Sequence, residues 1–436
     1  MPKEIKLSFE KVHAVSRRYA WSVVGMLWLI CFLNYADRQV ISVIFPLLEH
    51  EFSLTKFQLG LIGSSFMWVY AGCSFLAGFS TDRFPRKQVI LGGCLFWSFV
   101  TICTGWCGKF WQFIIVRALE GLGESCYFPA SMSMLADYHG KTRSRAMSLH
   151  QSGVYLGTIA GSWFGAWIAM HYGWRSGFYF FGSMGVIIAL LLFFILHEPR
   201  QEAVENGEVA SVTGEVLSEE TADHPLDFVA TFHYVFQRPA VLLLMLAFAG
   251  ANFVAMVFLT WMPTFLYEKF HLGVVFAGFS AVIFIQVASA ISGPCSAWLA
   301  DYLSIKTKNG RVIVQIMSLL LGVITIVAVG KVTSFIPLMI AMIAFGFSKG
   351  GYDAGIFATL FDHVEKKVRG SAVGMMNTIG WIGGALGPIV VGAFSTYGHG
   401  TAMNCMSTAI SWSASFYGVA ACLLMGVVIL TKKKEG

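Results

Sequence analysis

The sequence predicts an all-α membrane protein of twelve transmembrane helices, arranged as two pseudo-symmetric six-helix bundles. Three observations predict it: a scarcity of charge, a recurrence of apolar stretches, and a likeness between the two halves of the chain. Of 436 residues, 56% are hydrophobic and 12% charged, whereas soluble domains carry about 25% charged residues. This excludes a water-solvated surface of ordinary size. The 45 glycines and 38 phenylalanines agree, since helix packing in lipid favours the first and lipid faces tolerate the second.

Apolar stretches of about 20 residues, enough to cross a bilayer, recur from Trp21 onward. The first, 21–45, is too long for a cleavable signal peptide and carries Asn34, Asp37 and Arg38 in its body. The second, 57–80, ends on the basic loop Asp82-Arg83-Phe84-Pro85-Arg86-Lys87, and the third, 87–107, follows that loop. Only Gly108 and Lys109 separate the third from the fourth, 110–137. Lys141, Arg143 and Arg145 precede the fifth, 144–170, and Arg175 precedes the sixth, 177–196. The second set runs 239–267, 272–300, 311–330, 333–361, 369–396 and 406–431. The expected organisation is a segment 1–20, a bundle 21–196, a linker 197–238, a second bundle 239–431 and a tail 432–436. The linker holds nine acids against Arg200 before Arg238 and reads as solvated chain.

Lys and Arg fix the orientation. With the N-terminus inside, the inner segments hold 22 of these cations and the outer loops only five, Lys56, Lys109, Arg175, Lys269 and Lys331. The bias sets both termini in the cytoplasm, and the plasma (inner) membrane is the expected location. It also accounts for the net charge of +6 without a nucleic-acid partner; the expected partners are the lipid bilayer, a small anionic substrate and protons, with the chain a monomer.

The halves echo one another. Gly78-x-x-x-Asp82 followed by bases is matched by Ala297-x-x-x-Asp301, and Asp137 with Arg145-Ala146 is matched by Asp362 with Arg369-Gly370. Such duplication implies a pseudo-twofold axis along the membrane normal and a central cavity.

Loops leave three cations, Arg38, Arg117 and Lys349, and four acids, Asp37, Glu120, Glu124 and Asp353, inside the spans. A charge at mid-bilayer costs several kcal/mol, so each needs a partner or a wet cavity. At 1.5 Å per residue, Asp37, Arg38 and Arg117 all lie roughly 10–12 Å below the outer surface. Arg117, Glu120 and Glu124 form one stripe on the fourth span. Lys349 and Asp353, at i and i+4, read equally as a self-satisfied ion pair or as a substrate contact. A buried carboxylate beside an arginine is a proton switch that an arriving anion can tip, and arginine grips carboxylate or phosphate with paired hydrogen bonds. Tyr35, Tyr70, Gln151, Tyr155 and Asn377 surround these charges as candidate substrate contacts, each alone more often a packing residue. His150 reads as structural, with a proton relay as the alternative.

Nine cysteines show no CxxC pair, and Cys103 and Cys107, although on one helix face, read as small buried hydrophobes rather than metal ligands. Walker A, HExxH and GxSxG sequences are absent, so neither ATP-driven transport nor enzymatic hydrolysis has support, and no cofactor or metal is expected.

Gly78-Phe79-Ser80-Thr81-Asp82-Arg83-Phe84-Pro85-Arg86-Lys87 resembles the cytoplasmic signature of the major facilitator superfamily, with Pro85 where glycine is usual. The resemblance implies gating roles for Asp82, Arg83, Arg86 and Asp301, Asp82 locking against a neighbouring helix N-terminus. Within that superfamily the chain resembles the anion:cation symporters of sugar acids and other organic anions. Asn34-Tyr35-Ala36-Asp37-Arg38, Arg117, Gly121, Glu124 and Phe128-Pro129 carry the likeness in the first half. Trp261-Met262-Pro263-Thr264-Phe265-Leu266 and Arg369-Gly370-Ser371-Ala372-Val373-Gly374, leading to Asn377, carry it in the second. The resemblance implies proton uptake at Asp37 and Glu124, with Arg38, Arg117, Tyr70 and Asn377 acting on substrate or coupling. Glu120 and the Lys349–Asp353 pair depart from the family pattern. The first half also resembles the spinster lipid carriers, through Asn34 to Arg38 and Gly123-Glu124-Ser125, which makes proton-coupled lipid transport the alternative.

Overall fold

The computed structural model describes residues 17–139, 142–198, 237–307, 309–365 and 369–433. Its described residues form helices and no strand: α1 (Arg17–Val43), α2 (Phe45–Phe52), α3 (Lys56–Arg83), α4 (Arg86–Thr104), α5 (Phe110–Ser125), α6 (Tyr127–Tyr138), α7 (Arg143–Tyr172) and α8 (Trp174–Ile195), then α9 (Pro239–Phe270), α10 (Val274–Lys306), α11 (Gly310–Lys331), α12 (Phe335–Asp353), α13 (Ile356–His363), α14 (Arg369–Tyr397) and α15 (Ala402–Lys433). Nine stretches among the described residues are long and apolar enough to cross a membrane. Helices α2, α3, α5, α6 and α7 lie outside that set; α5 carries Arg117, Glu120 and Glu124, whereas Asp37 and Arg38 lie on α1, inside it.

Two of the expected continuous spans are broken. The stretch 110–137 is α5 and α6, joined at Cys126, and 333–361 is α12 and α13, joined at Ala354 and Gly355. Pro129 has no N–H to offer the Ser125 carbonyl, so the α5 ladder ends there. Pro46 acts in the same way on Ser42, ending α1 and starting α2.

Helix pairing repeats between the halves. In the first, α1 packs on α7, α3 on α5 and α4 on α8; in the second, α9 packs on α14, α10 on α12 and α11 on α15. The halves meet where α3 crosses α14 and α7 crosses α10. Close approach rests on small residues: a Cβ at Gly157 or Gly161 of α7 would run into the carbonyls of Phe32 and Ala36 on α1.

At the end of the bundle away from the described termini, the halves are fastened together. Lys56, 5% exposed, bonds Glu49 of α2 at 2.5 Å and Glu268 of α9. The Phe57 N–H donates to Thr396 (2.9 Å) and Gln39 Nε2 to the Leu259 carbonyl (3.0 Å) across the halves, while within the second half Trp261 Nε1 donates to the Pro388 carbonyl (3.0 Å). At the opposite end, Arg86 pairs with Asp137 and Arg311 with Asp362 (2.9 Å), partners that stand 225 residues apart between the halves.

Most of the acidic linker lies outside the described residues. Its first acid is not solvated as expected: Glu198 is 4% exposed and accepts the backbone N–H of Lys87 at 2.7 Å. A carboxylate there satisfies a free donor in the first turn of α4.

Candidate functional site: a buried charge cluster between the halves

The periodicity of α1 places Asn34, Tyr35, Asp37 and Arg38 near one level, facing α3 and α5. Arg38 donates from Nε to Glu124 Oε2 at 3.0 Å, its Nη2 pairs with the same oxygen, and Nη2 also reaches Asn34 Oδ1 at 3.3 Å. Glu124 is fully buried and Asp37 is 3% exposed. One turn along α5, Arg117 Nη1 donates to Glu120 Oε2 at 2.5 Å, and Thr101 of α4 bonds the other Glu120 oxygen at 3.4 Å. Arg38 and Arg117, expected at one depth, share one ring: Phe66 of α3 stands 4.5 Å from the Arg38 guanidinium and 5.1 Å from that of Arg117.

Aromatic rings from both halves enclose Arg38. Tyr35 lies at 4.5 Å, Tyr70 at 5.6 Å and Trp381, from α14 of the second half, at 5.8 Å. Trp381 packs on Tyr70 with ring centroids 4.8 Å apart. Sequence reasoning selected Tyr35 and Tyr70 but passed over Phe66 and Trp381. Phe66 had a readable sign, since it stands four residues before Tyr70 on the same helical face. Trp381 had none, because its role depends on the partner helix from the other half.

Oxygens of Asp37, Glu120 and Glu124 lie within 4.8 Å of one another. Asp37 Oδ1, Glu124 Oε1, Asn34 Nδ2 and Arg117 Nε are buried without a hydrogen-bond partner among the described residues. Three carboxylates face two guanidiniums, so one negative charge is left over. A buried group in that condition takes a proton or a cation, or is paid for elsewhere in stability.

The remaining predicted residues divide. Lys349 and Asp353 on α12 form an ion pair at 2.6 Å, with side chains 17% and 42% exposed. Tyr155 of α7 lies within electrostatic reach of both. Gln151 on α7 and Asn377 on α14 are half-buried, with no side-chain hydrogen bond to the cluster among the described residues. His150 is structural in form: the Tyr127 hydroxyl donates to the Leu27 carbonyl at 2.6 Å, so His150 Nε2, 2.9 Å from that hydroxyl, carries the proton and donates. Of the gating candidates, Arg86 joins α4 to α6, and Asp301 bonds Arg311 at 3.2 Å, each inside its own half. The side chains of Asp82 and Arg83 lie outside the described residues.

The helix pairing and the cluster are those of a two-bundle carrier, and comparison with known proteins agrees. The model of the Major Facilitator Superfamily matches residues 27–312 and 288–435. The chain belongs to that superfamily. It is a multi-pass membrane protein of a transporter family, not an enzyme. This facilitator is 27% identical over 420 residues to the chloroplastic ascorbate transporter of Arabidopsis thaliana, covering 94% of this chain and 74% of that one. It is 25% identical over 390 residues to a probable galactarate/D-glucarate transporter of Escherichia coli strain K12, covering 85% and 86%. Its fold is similar to the crystal structure of a bacterial homolog of the human lysosomal transporter Spinster, in an inward-facing and unoccupied conformation. The TM-score is 0.77 at 20% identity, over 94% of this chain and 97% of that one; at that identity the likeness carries the fold alone.

Proposed function

We propose that this facilitator carries a small organic anion, a carboxylate or sugar acid, together with protons, by alternating access of its two six-helix halves. The observation that carries the reading is the buried cluster in which Asp37, Glu120 and Glu124 outnumber Arg38 and Arg117. One proton restores the balance, and Asp37, without an ion-pair partner among the described residues, is its assigned holder. Arg38 is the assigned anion site, because aromatic faces leave its guanidinium partly open, 15% exposed, while Glu124 holds one edge. An anion arriving there competes with Glu124 for the guanidinium, and the displaced carboxylate then favours a proton. Anion and proton therefore bind with positive coupling, which is what symport requires. The names of the plant and bacterial relatives, which concern ascorbate and galactarate or glucarate, support an anion over a lipid.

The cation bias of 22 to five supports cytoplasmic termini in the plasma (inner) membrane, twelve crossings in all. In that orientation the fastened end is the outer one, and the described state is closed to the outside.

The test is uptake into proteoliposomes. An inward proton gradient drives accumulation of the carried carboxylate, and Asp37→Asn abolishes accumulation while its thermal unfolding stays close to the wild-type transition. Gradient-driven accumulation by Asp37→Asn would falsify the coupling role.

A further inference from the structure

The energetics of Lys349 and Asp353 do not suit a purely structural pair. An i, i+4 ion pair adds about 0.3–0.5 kcal/mol to a helix, whereas each charge costs several kcal/mol to place within a bilayer. Asp353 is 42% exposed in an otherwise apolar helix, a combination that points to water rather than to lipid.

Register locates that water. Helix α5 ends at the Cys126 cap and α12 at the Ala354 cap, the equivalent breaks of the two halves. Counted back from them, Glu124 and Glu120 stand two and six residues before Cys126, while Asp353 and Lys349 stand one and five residues before Ala354. The second-half pair thus occupies, within one residue, the register of the carboxylates that meet Arg38 and Arg117. Lys349 also lies within electrostatic reach of Tyr35 and Tyr155, both on first-half helices. Tyr35 in turn is the ring 4.5 Å from the Arg38 guanidinium. Tyr35 is therefore within electrostatic reach of a cation of each half.

We propose that Lys349 is the second anchor of a two-cation clamp, and that the substrate is a dicarboxylate with one carboxylate on Arg38 and the other on Lys349. The proposal rests on the organic-anion reading above and names its substrate class. A dianion of sufficient length engages one cation in each half, so its binding favours the arrangement in which the halves close around it. A monocarboxylate grips only one half by charge. Asp353 occupies the Lys349 ammonium at 2.6 Å; the incoming carboxylate replaces it, and Asp353 turns to the water that already reaches it. Galactarate and glucarate, named for the bacterial relative, are six-carbon dicarboxylates.

The test is competitive uptake into proteoliposomes of four- to six-carbon dicarboxylates against monocarboxylates of equal length. The wild type is expected to prefer a dicarboxylate by about tenfold or more in kcat/KM, the scale of one charge-assisted hydrogen bond. That preference is expected to fall toward unity in Lys349→Gln. The double variant Lys349→Gln/Asp353→Asn leaves no unpaired buried charge and is expected to show the same loss, which guards against misfolding of the single variant. Equal handling of both acid classes by the wild type, or a preference that survives in the double variant, overturns the clamp and leaves the symport reading standing. Failure to take up either class overturns both.

Discussion

At the residue scale the cluster is two ion pairs sharing one aromatic ring, with a third carboxylate beside them. The spacing of Arg117 and Glu120 made their pairing legible in the sequence, since residues three apart on a helix adjoin. The relative exposure of the two arginines was not: Arg117, a candidate substrate contact, is 3% exposed beside Glu120, whereas the Arg38 side chain is 15% exposed. Removing one partner of a sealed pair strands the other charge at a cost of about 3–5 kcal/mol, whereas removing both is close to neutral. Arg117→Met and Glu120→Leu are each expected to lower the thermal unfolding temperature in detergent sharply, and the double variant to recover most of the loss. Additive losses would show that Arg117 and Glu120 act independently.

At the element scale, the all-helical, multi-pass character was legible because apolar runs are local properties. The breaks in 110–137 and 333–361 were not taken from the sequence, although Pro129 marks the first. The Lys56 latch had no sequence sign at all. Lys56 counted only as an outer-loop cation, and its two acids stand 7 and 212 residues away. Burial pushes the Glu49 carboxyl above its ordinary range, with Lys56 opposing and Glu268 adding to the rise. The closed latch therefore keeps a proton on Glu49 at a pH where an unlatched glutamate, with a pKa of about 4.3, has lost it. By linkage, closure gains as pH falls through the raised value toward the ordinary one, and that gain is lost as pH rises. Spin labels at the exposed His50 and His399, in a background with the native cysteines replaced, report the separation of the fastened ends. The short-distance population is expected to grow on acidification, and Glu49→Gln to flatten the response. A pH response unaltered by Glu49→Gln would remove Glu49 from the latch.

At the scale of the whole molecule, the duplicated loops predicted two like halves, and the helix pairing repeats accordingly. How the halves touch was hidden, because a contact such as Gly60 with Pro388 joins residues more than 300 positions apart and carries no periodic sign. There the backbones of α3 and α14 meet: a Cβ on Gly60 would collide with the Pro388 carbonyl and lie 3.3 Å from the Ile389 Cα. The clash involves main chain on both sides, so no side-chain rotation relieves it. Alternating access requires this contact to form in one state and open in the other, and Gly60→Leu makes forming it costly while leaving the interior of each half intact. Overpacking of this kind costs about 1–3 kcal/mol, which moves a two-state equilibrium by about 5- to 160-fold. The expected outcome is a longer His50 to His399 distance, a thermal transition near that of the wild type, and uptake reduced because closure has become the slow step. Should Gly60→Leu keep the short distance and transport at the wild-type rate, α3 and α14 slide past one another without parting, and the crossing is a hinge rather than a gate.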